Sequence, residues 1–130
     1  MVQEIMTFFG QTNGTTTTGT FSLQSDLTSS PVTYIQIPGG MRLKIWAKRL
    51  SGAPCIVNYQ VSHVVPPASP VTISSSDLSS AGELDLEKRR PVVIRGLDGT
   101  DALQITWSQT TAAISSVEFE AVFEEVGDDE

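Results

Sequence analysis

Apolar and polar residues alternate along much of this chain, and the clearest alternation runs from Met41 to Arg49. Successive side chains of a β-strand point to opposite faces, so this pattern predicts a strand with one apolar face and one basic face. The apolar face carries every second residue from Met41 to Ala47. The other face carries Arg42, Lys44, Trp46 and Lys48. Similar patterns on either side predict that the segment from Thr33 to Val65 forms three consecutive strands.

Shorter alternating stretches fill the rest of the chain and are separated by turn residues. A strand is predicted at Val92–Ile94, and the last two alternate over Leu103–Trp107 and Val117–Phe123. No stretch over ten residues has a helical period. Eight or nine short strands predict a single antiparallel β-sandwich of jelly-roll-like topology, with immunoglobulin-like topology as the alternative. The Cys–Trp–Cys pattern of immunoglobulin domains is missing, which favours the jelly roll.

Residues 1–31 differ from the rest, because Gly, Thr, Asn and Ser dominate them after a short apolar strand, Glu4–Phe9. This composition is typical of a loop or an extended arm. We therefore expect an N-terminal strand and Thr/Gly-rich arm over 1–31, a sandwich core over 32–126 and an acidic tail over 127–130. One hypothesis is an arm ordered against a neighbouring subunit, and the other is a mobile leader.

The net charge of −7 is distributed unevenly along the 130 residues. All eight basic residues lie between Arg42 and Arg95, with four acids, whereas the rest holds eleven acids and no base. An acidic chain is unsuited to general nucleic-acid binding. The separated charges instead favour association between copies, with a merely solubilising acidic tail as the alternative. The candidate interface residues are Trp46, Arg42, Lys44 and Lys48 on the basic strand, Lys88, Arg89 and Arg90 at a turn, and Glu118, Glu120 and Glu124 on the last strand.

Residues for catalysis or metal binding are sparse. The one histidine, His63, falls near the end of its predicted strand, and the one cysteine, Cys55, has no base beside it in sequence. These two residues cannot supply a tetrahedral zinc site. Asp98 and Asp101 flank a Gly turn that resembles part of a calcium loop, although Asp-Gly is also a common hairpin turn. We expect no enzymatic activity and no cofactor or metal.

The first residues lack the basic and apolar regions of a signal peptide, and the single cysteine cannot form an internal disulfide. No apolar run approaches the roughly 20 residues of a membrane helix. The expectation is a soluble protein made in the cytoplasm that has no membrane partner.

With its Thr/Gly-rich arm at Gln11–Thr20 and its strands from Tyr34 to Phe123, the chain resembles the small β-sandwich or jelly-roll decoration (cement) proteins of bacteriophage and other viral capsids. The resemblance is one of pattern, without a diagnostic motif. It implies a virion protein that clamps neighbouring capsid subunits, with a major capsid protein as partner and a homo-oligomer, favoured as a trimer. Individual binding residues do not carry over from the family.

The alternative function is a carbohydrate-binding, lectin-like module of a phage tail or fibre. Exposed aromatic residues on a β-sandwich stack on sugar rings, so Trp46 with Tyr34 or Tyr59 would form that site, with Asp98 and Asp101 holding calcium. Trp46 has two further interpretations, namely cover by lysine stems of its own protomer or an anchor at a subunit interface. A cupin-like enzyme is a third hypothesis, and a single histidine argues against it.

Overall fold

The computed structural model describes residues 3–25, 30–78, 92–96 and 100–125. These residues form ten β-strands, in chain order β1 (Gln3–Gln11), β2 (Thr18–Thr20), β3 (Gln24–Ser25), β4 (Ile35–Ile37), β5 (Met41–Gly52), β6 (Ile56–Ser62), β7 (Val71–Asp77), β8 (Val92–Arg95), β9 (Asp101–Ser108) and β10 (Ser115–Glu125). Within these ranges there is no helix of the length and apolarity that crossing a membrane requires. Leu84 and Leu86 alternate with Glu83, Asp85 and Glu87, which also predicts a strand, but this stretch lies outside the described residues.

Two five-stranded antiparallel sheets make up the fold. The first sheet has the order β3-β1-β10-β5-β8, and the second has the order β2-β9-β6-β7, with β4 beside β2 on the same edge of β9. When β2 and β4 are counted as one interrupted strand and the two-residue β3 is set aside, the orders are 1-8-3-6 and 2-7-4-5. This is the strand order of a jelly roll, so the predicted β-sandwich is confirmed and the immunoglobulin-like alternative does not apply.

The hydrophobic core lies between the two sheets and is built from their inner faces. The inward residues of the three longest alternating stretches are buried as predicted: Leu43, Ile45 and Ala47 of β5, Leu103, Ile105 and Trp107 of β9, and Val117, Phe119, Ala121 and Phe123 of β10. Burial of these apolar side chains is the main stabilising contribution to such a sandwich.

The segment predicted as an N-terminal arm takes part in this sandwich. β1 pairs with β10 along its whole length of nine residues. Phe21 and Leu23 are fully buried. The Phe21 ring centre lies 5.1 Å from that of Trp107 and 5.3 Å from that of Phe119, spacings at which aromatic rings attract. Over the described residues, the predicted arm and the predicted core therefore share one hydrophobic core.

Two strand boundaries differ from the prediction. β6 ends at Ser62 instead of Val65, where the Ser62 hydroxyl accepts hydrogen bonds from the backbone N–H groups of Val64 and Ala68 in the following loop. The Ser-rich composition from Ser74 to Gly82 predicts a connection, but β7 continues through Ser74, Ser75 and Ser76 to Asp77. Ser75 donates to the Asn58 side chain at 2.8 Å, so a polar strand is held against β6 by side-chain hydrogen bonds.

Candidate interface surfaces

The outer face of β5 carries the basic residues that the alternation predicts. The four members of this face are all half-buried: Arg42, Lys44, Trp46 and Lys48. They point away from the core, because the intervening residues of β5 are buried.

β10 lies directly beside β5, which brings the acidic and basic strands together within one protomer. Three predicted interface acids face the outer residues of β5: Glu118 lies opposite Lys48, Glu120 opposite Trp46 and Glu124 opposite Arg42. The last pair is 82 positions apart in sequence. The acidic residues of β10 and the basic residues of β5, which the sequence suggests for contacts between copies, are therefore already neighbours within one copy.

Glu124 is the centre of this charge pairing. Its Oε2 accepts a hydrogen bond from Arg42 Nε at 3.1 Å, and its Oε1 lies 3.1 Å from Lys44 Nζ. The Glu124 side chain is 10% exposed, so its charge needs these partners. The hydrogen bond from Lys44 lowers the pKa of Glu124, burial acts in the opposite direction, and Arg42 lowers it further. These three residues are therefore paired with one another within the protomer.

Trp46 is half-buried between Lys44 and Lys48 along β5, in a cross-strand row with Glu120 of β10 and Thr7 of β1. This placement agrees with partial cover by neighbouring side chains. An anchoring role for Trp46 at an interface stays a prediction. The basic turn of Lys88, Arg89 and Arg90 lies outside the described residues.

The aromatic residues suggested for sugar binding do not share a surface. Tyr59 is fully buried, and its hydroxyl is 2.9 Å from that of Ser76. Tyr34 is half-buried beside β4 of the second sheet, whereas Trp46 lies on the outer face of the first sheet. Neither tyrosine can therefore form a stacking platform together with Trp46.

His63 follows β6 directly and is exposed, and its Nδ1 lies 2.5 Å from Oδ1 of the buried Asp101. No group of three His, Cys, Asp or Glu side chains within the described ranges is placed to hold a metal ion. Asp98 lies outside those ranges, so a calcium site at Asp98 and Asp101 stays a hypothesis. Burial raises the pKa of the Cys55 thiol, with Arg49 acting in the opposite direction, and a buried protonated thiol is a poor nucleophile.

An apolar groove lies at the edge of the sandwich where β7 of the second sheet faces β8 of the first. We call it the β7/β8 groove. It encloses about 620 Å³ between β6, the loop after it, β7 and β8. Its walls carry four large apolar side chains that are about half exposed or more: Val64 (49%), Val71 (66%), Ile73 (48%) and Val93 (49%). Large patches of exposed apolar residues are characteristic of interaction surfaces.

The two strands that border the groove are edge strands. Among the described residues, β7 pairs with β6 alone and β8 with β5 alone. The run Val71–Ile73 predicts a strand from its β-branched residues. Its position at an edge depends on which distant strands pair, and alternation along the chain does not contain that information. The sequence pattern therefore does not reveal the groove.

A second cleft of about 530 Å³ lies on the outer side of the first sheet. Phe9 and Leu50, each 43% exposed, line it together with Gln11, Gln24 and Ser116. This lining is mixed in polarity, in contrast to the β7/β8 groove.

Comparison with known proteins identifies no family for this chain. No family model and no curated protein matches it. Among solved structures, it is similar to a chain in the structure of infectious bursal disease virus, Gx strain, with 14% sequence identity and a TM-score of 0.41. The match covers 98% of this chain and 34% of the viral one, so this chain spans about a third of that protein's length.

Proposed function

We propose that this chain is a structural protein of a virus particle, and that it works as a capsid decoration (cement) protein by binding to itself and to a capsid subunit. The observation that carries the proposal is the β7/β8 groove. Exposed valine and isoleucine side chains beside a sheet edge that no other described strand pairs with are a liability for a protein that stays alone in water. They are expected where another polypeptide covers the edge.

The fold supports the same proposal. Jelly rolls occur in viral capsid domains, in lectins and in cupins. Because a fold does not specify a function, the surface has to separate these possibilities. The aromatic residues lie on different sides of the sandwich or are buried, which argues against a sugar platform built on them. His63 is paired with Asp101 and has no second histidine beside it, unlike the several ligands of a cupin metal site.

The outer face of β5 and β10 is the proposed contact with the capsid subunit. Trp46 is the expected anchor, since tryptophan dominates the binding energy of many interfaces. Lys48, Glu118 and Glu120 surround it with both charge signs, and such rims favour one orientation of a partner. Arg42, Lys44 and Glu124 contribute to the same face, although their first role is the ion pairing within the protomer.

The test is co-sedimentation of the purified protein with virus particles that lack it. We expect saturable binding to the particles. Replacing the anchor, Trp46→Ala, is expected to weaken binding about 30-fold or more, which corresponds to an interface hot spot of about 2 kcal/mol. Tyr34→Ala is the matched control, since it removes a half-buried aromatic side chain on the second sheet. Protein that stays in the supernatant at every ratio would contradict the proposal.

A further inference from the structure

We infer that two copies of this chain associate by pairing β7 of one copy antiparallel with β7 of the other, which covers the β7/β8 groove. The inference rests on the self-association part of the proposed function and identifies the strand that provides it. The result is a two-fold dimer in which the second sheets of both copies form one continuous sheet.

The backbone of β7 offers the best edge for such pairing. β7 is seven residues long, and within the described chain only the row of backbone groups that faces β6 is paired. β8, at the corresponding edge of the first sheet, has four residues, and β2, β3 and β4 have three or fewer. β1 is longer, but β3 covers its outer edge at Phe8 and Phe9.

Along its side chains, β7 lacks the features that keep sheet edges apart, although a one-residue register shift at Ile73, a type of irregularity that also protects edges, interrupts its pairing with β6. Proteins protect edge strands with lysine, proline or inward-pointing charges. Residues 71–76 include none of these, and the one charged residue of β7 is Asp77 at its end. Val71 and Ile73 are instead exposed along this edge. An edge of this composition is expected where a second strand covers it.

The sequence of β7 suits a second copy of itself. A two-fold axis places the same strand opposite in reverse order. With the axis near Ser74, the Ser74 residues of the two copies lie opposite each other, and hydroxyl pairs across strands are favourable. Asp77 of one copy then lies toward Val71 of the other, so the two carboxylates are at opposite ends. Two chains of net charge −7 can thus meet at this edge without opposing like charges.

Two-fold pairing through β7 predicts a dimer. A trimer requires a contact between two different surfaces of neighbouring copies. The mass in solution therefore separates this inference from the trimer that the resemblance to decoration proteins implies.

The experiment is sedimentation equilibrium over a wide concentration range. Wild-type protein is expected at twice its monomer mass of 14.0 kDa. Ile73→Lys is expected to raise the dissociation constant about tenfold or more, because it places a charge at the paired edge. Ile73 is 48% exposed, so the variant monomer should fold. Ile114→Lys is the control, because Ile114 is 57% exposed and lies outside the groove, and the dimer should persist in it.

Hydrogen–deuterium exchange shows whether the strand itself is paired. In the wild-type dimer, peptides that cover Val71–Asp77 are expected to exchange more slowly than at dilutions where the protein is monomeric. The Ile73→Lys variant should show no such concentration dependence. Protection confined to other strands would contradict pairing through β7.

The inference is overturned by a wild-type monomer at every concentration, by a trimer, or by a dimer that Ile73→Lys leaves intact. A monomer that binds particles, and loses that binding in Ile73→Lys, would mean that a strand of the particle covers the groove; the proposed function would then stand without the dimer. A β7-dependent dimer that binds no particles would support the inference and contradict the proposed function.

Discussion

At the scale of single residues, Phe21 links the N-terminal segment to the core. Its ring lies against Trp107 and Phe119 and has no exposed surface. Phe21→Ala leaves a cavity between the sheets and is expected to lower the free energy of unfolding by about 3–5 kcal/mol. Urea unfolding followed by circular dichroism measures this.

The exposed neighbour Ser22 provides the control. Ser22→Ala is expected to change stability by no more than about 0.5 kcal/mol. Equal stability of the two variants would show that this segment lies outside the cooperative core.

Gly19 is required by close packing against the same cluster. A Cβ atom at this position would lie 2.5 Å from both Cζ2 and Cη2 of Trp107, far inside van der Waals contact. Gly19→Ala must therefore displace a buried indole ring and is expected to cost about 1–3 kcal/mol of stability.

A double-mutant cycle with Trp107→Phe checks this cause. The phenyl ring lacks the two clashing atoms, so the penalty of Gly19→Ala should shrink in that background. An equal loss of stability in both backgrounds would mean that the clash with Trp107 does not cause the cost of Gly19→Ala.

At the scale of elements, the pairing of β5 with β10 makes the stability of the fold depend on pH. The pKa of Glu124 is lowered in the folded protein, so its ionised form adds stability above the pKa of the unfolded chain. That contribution is lost as the pH falls through the lowered folded pKa. Wild type is therefore expected to be more stable than Glu124→Gln at neutral pH, and the difference should close in acid.

Urea unfolding at several pH values between about 7 and about 3 measures this difference in stability, because the ordinary pKa values of carboxyl groups lie within that interval. Glu125→Gln is the matched control, because Glu125 is an exposed carboxylate on the same strand. A difference for Glu124→Gln that persists unchanged at the acidic limit would contradict a role for its charge. Added salt should reduce the difference at neutral pH, because it screens partly exposed partners such as Lys44.

Strand faces could be predicted more reliably than strand ends. The inner faces of β5, β9 and β10 follow from alternation, since a period of two determines which side each residue takes. The end of β6 depends on loop atoms that bond to Ser62. The extension of β7 through Ser75 depends on its contact with Asn58 of the neighbouring strand. Neither of these contacts is visible in local composition.

At the scale of the whole molecule, the fold class could be predicted but the arrangement of strands could not. Charges separated along the chain predict association between copies, yet the jelly-roll order places β5 next to β10 and pairs Glu124 with Arg42 and Lys44 inside one copy. The position of Trp46 on a charged outer face was predictable from its own strand. The β7/β8 groove was not, because it exists only where two distant edges meet.

The strand order also bears on how the protein is made. β10 lies between β1 and β5, and it follows every other described strand in the chain. While the chain is being synthesised, the first sheet therefore lacks its central strand until β10 has left the ribosome. β1 must wait for a partner more than a hundred residues downstream, with Phe8 and Phe21 uncovered. Such long-range closure makes folding slow, and it leaves apolar segments of the nascent chain exposed to chaperones that hold them.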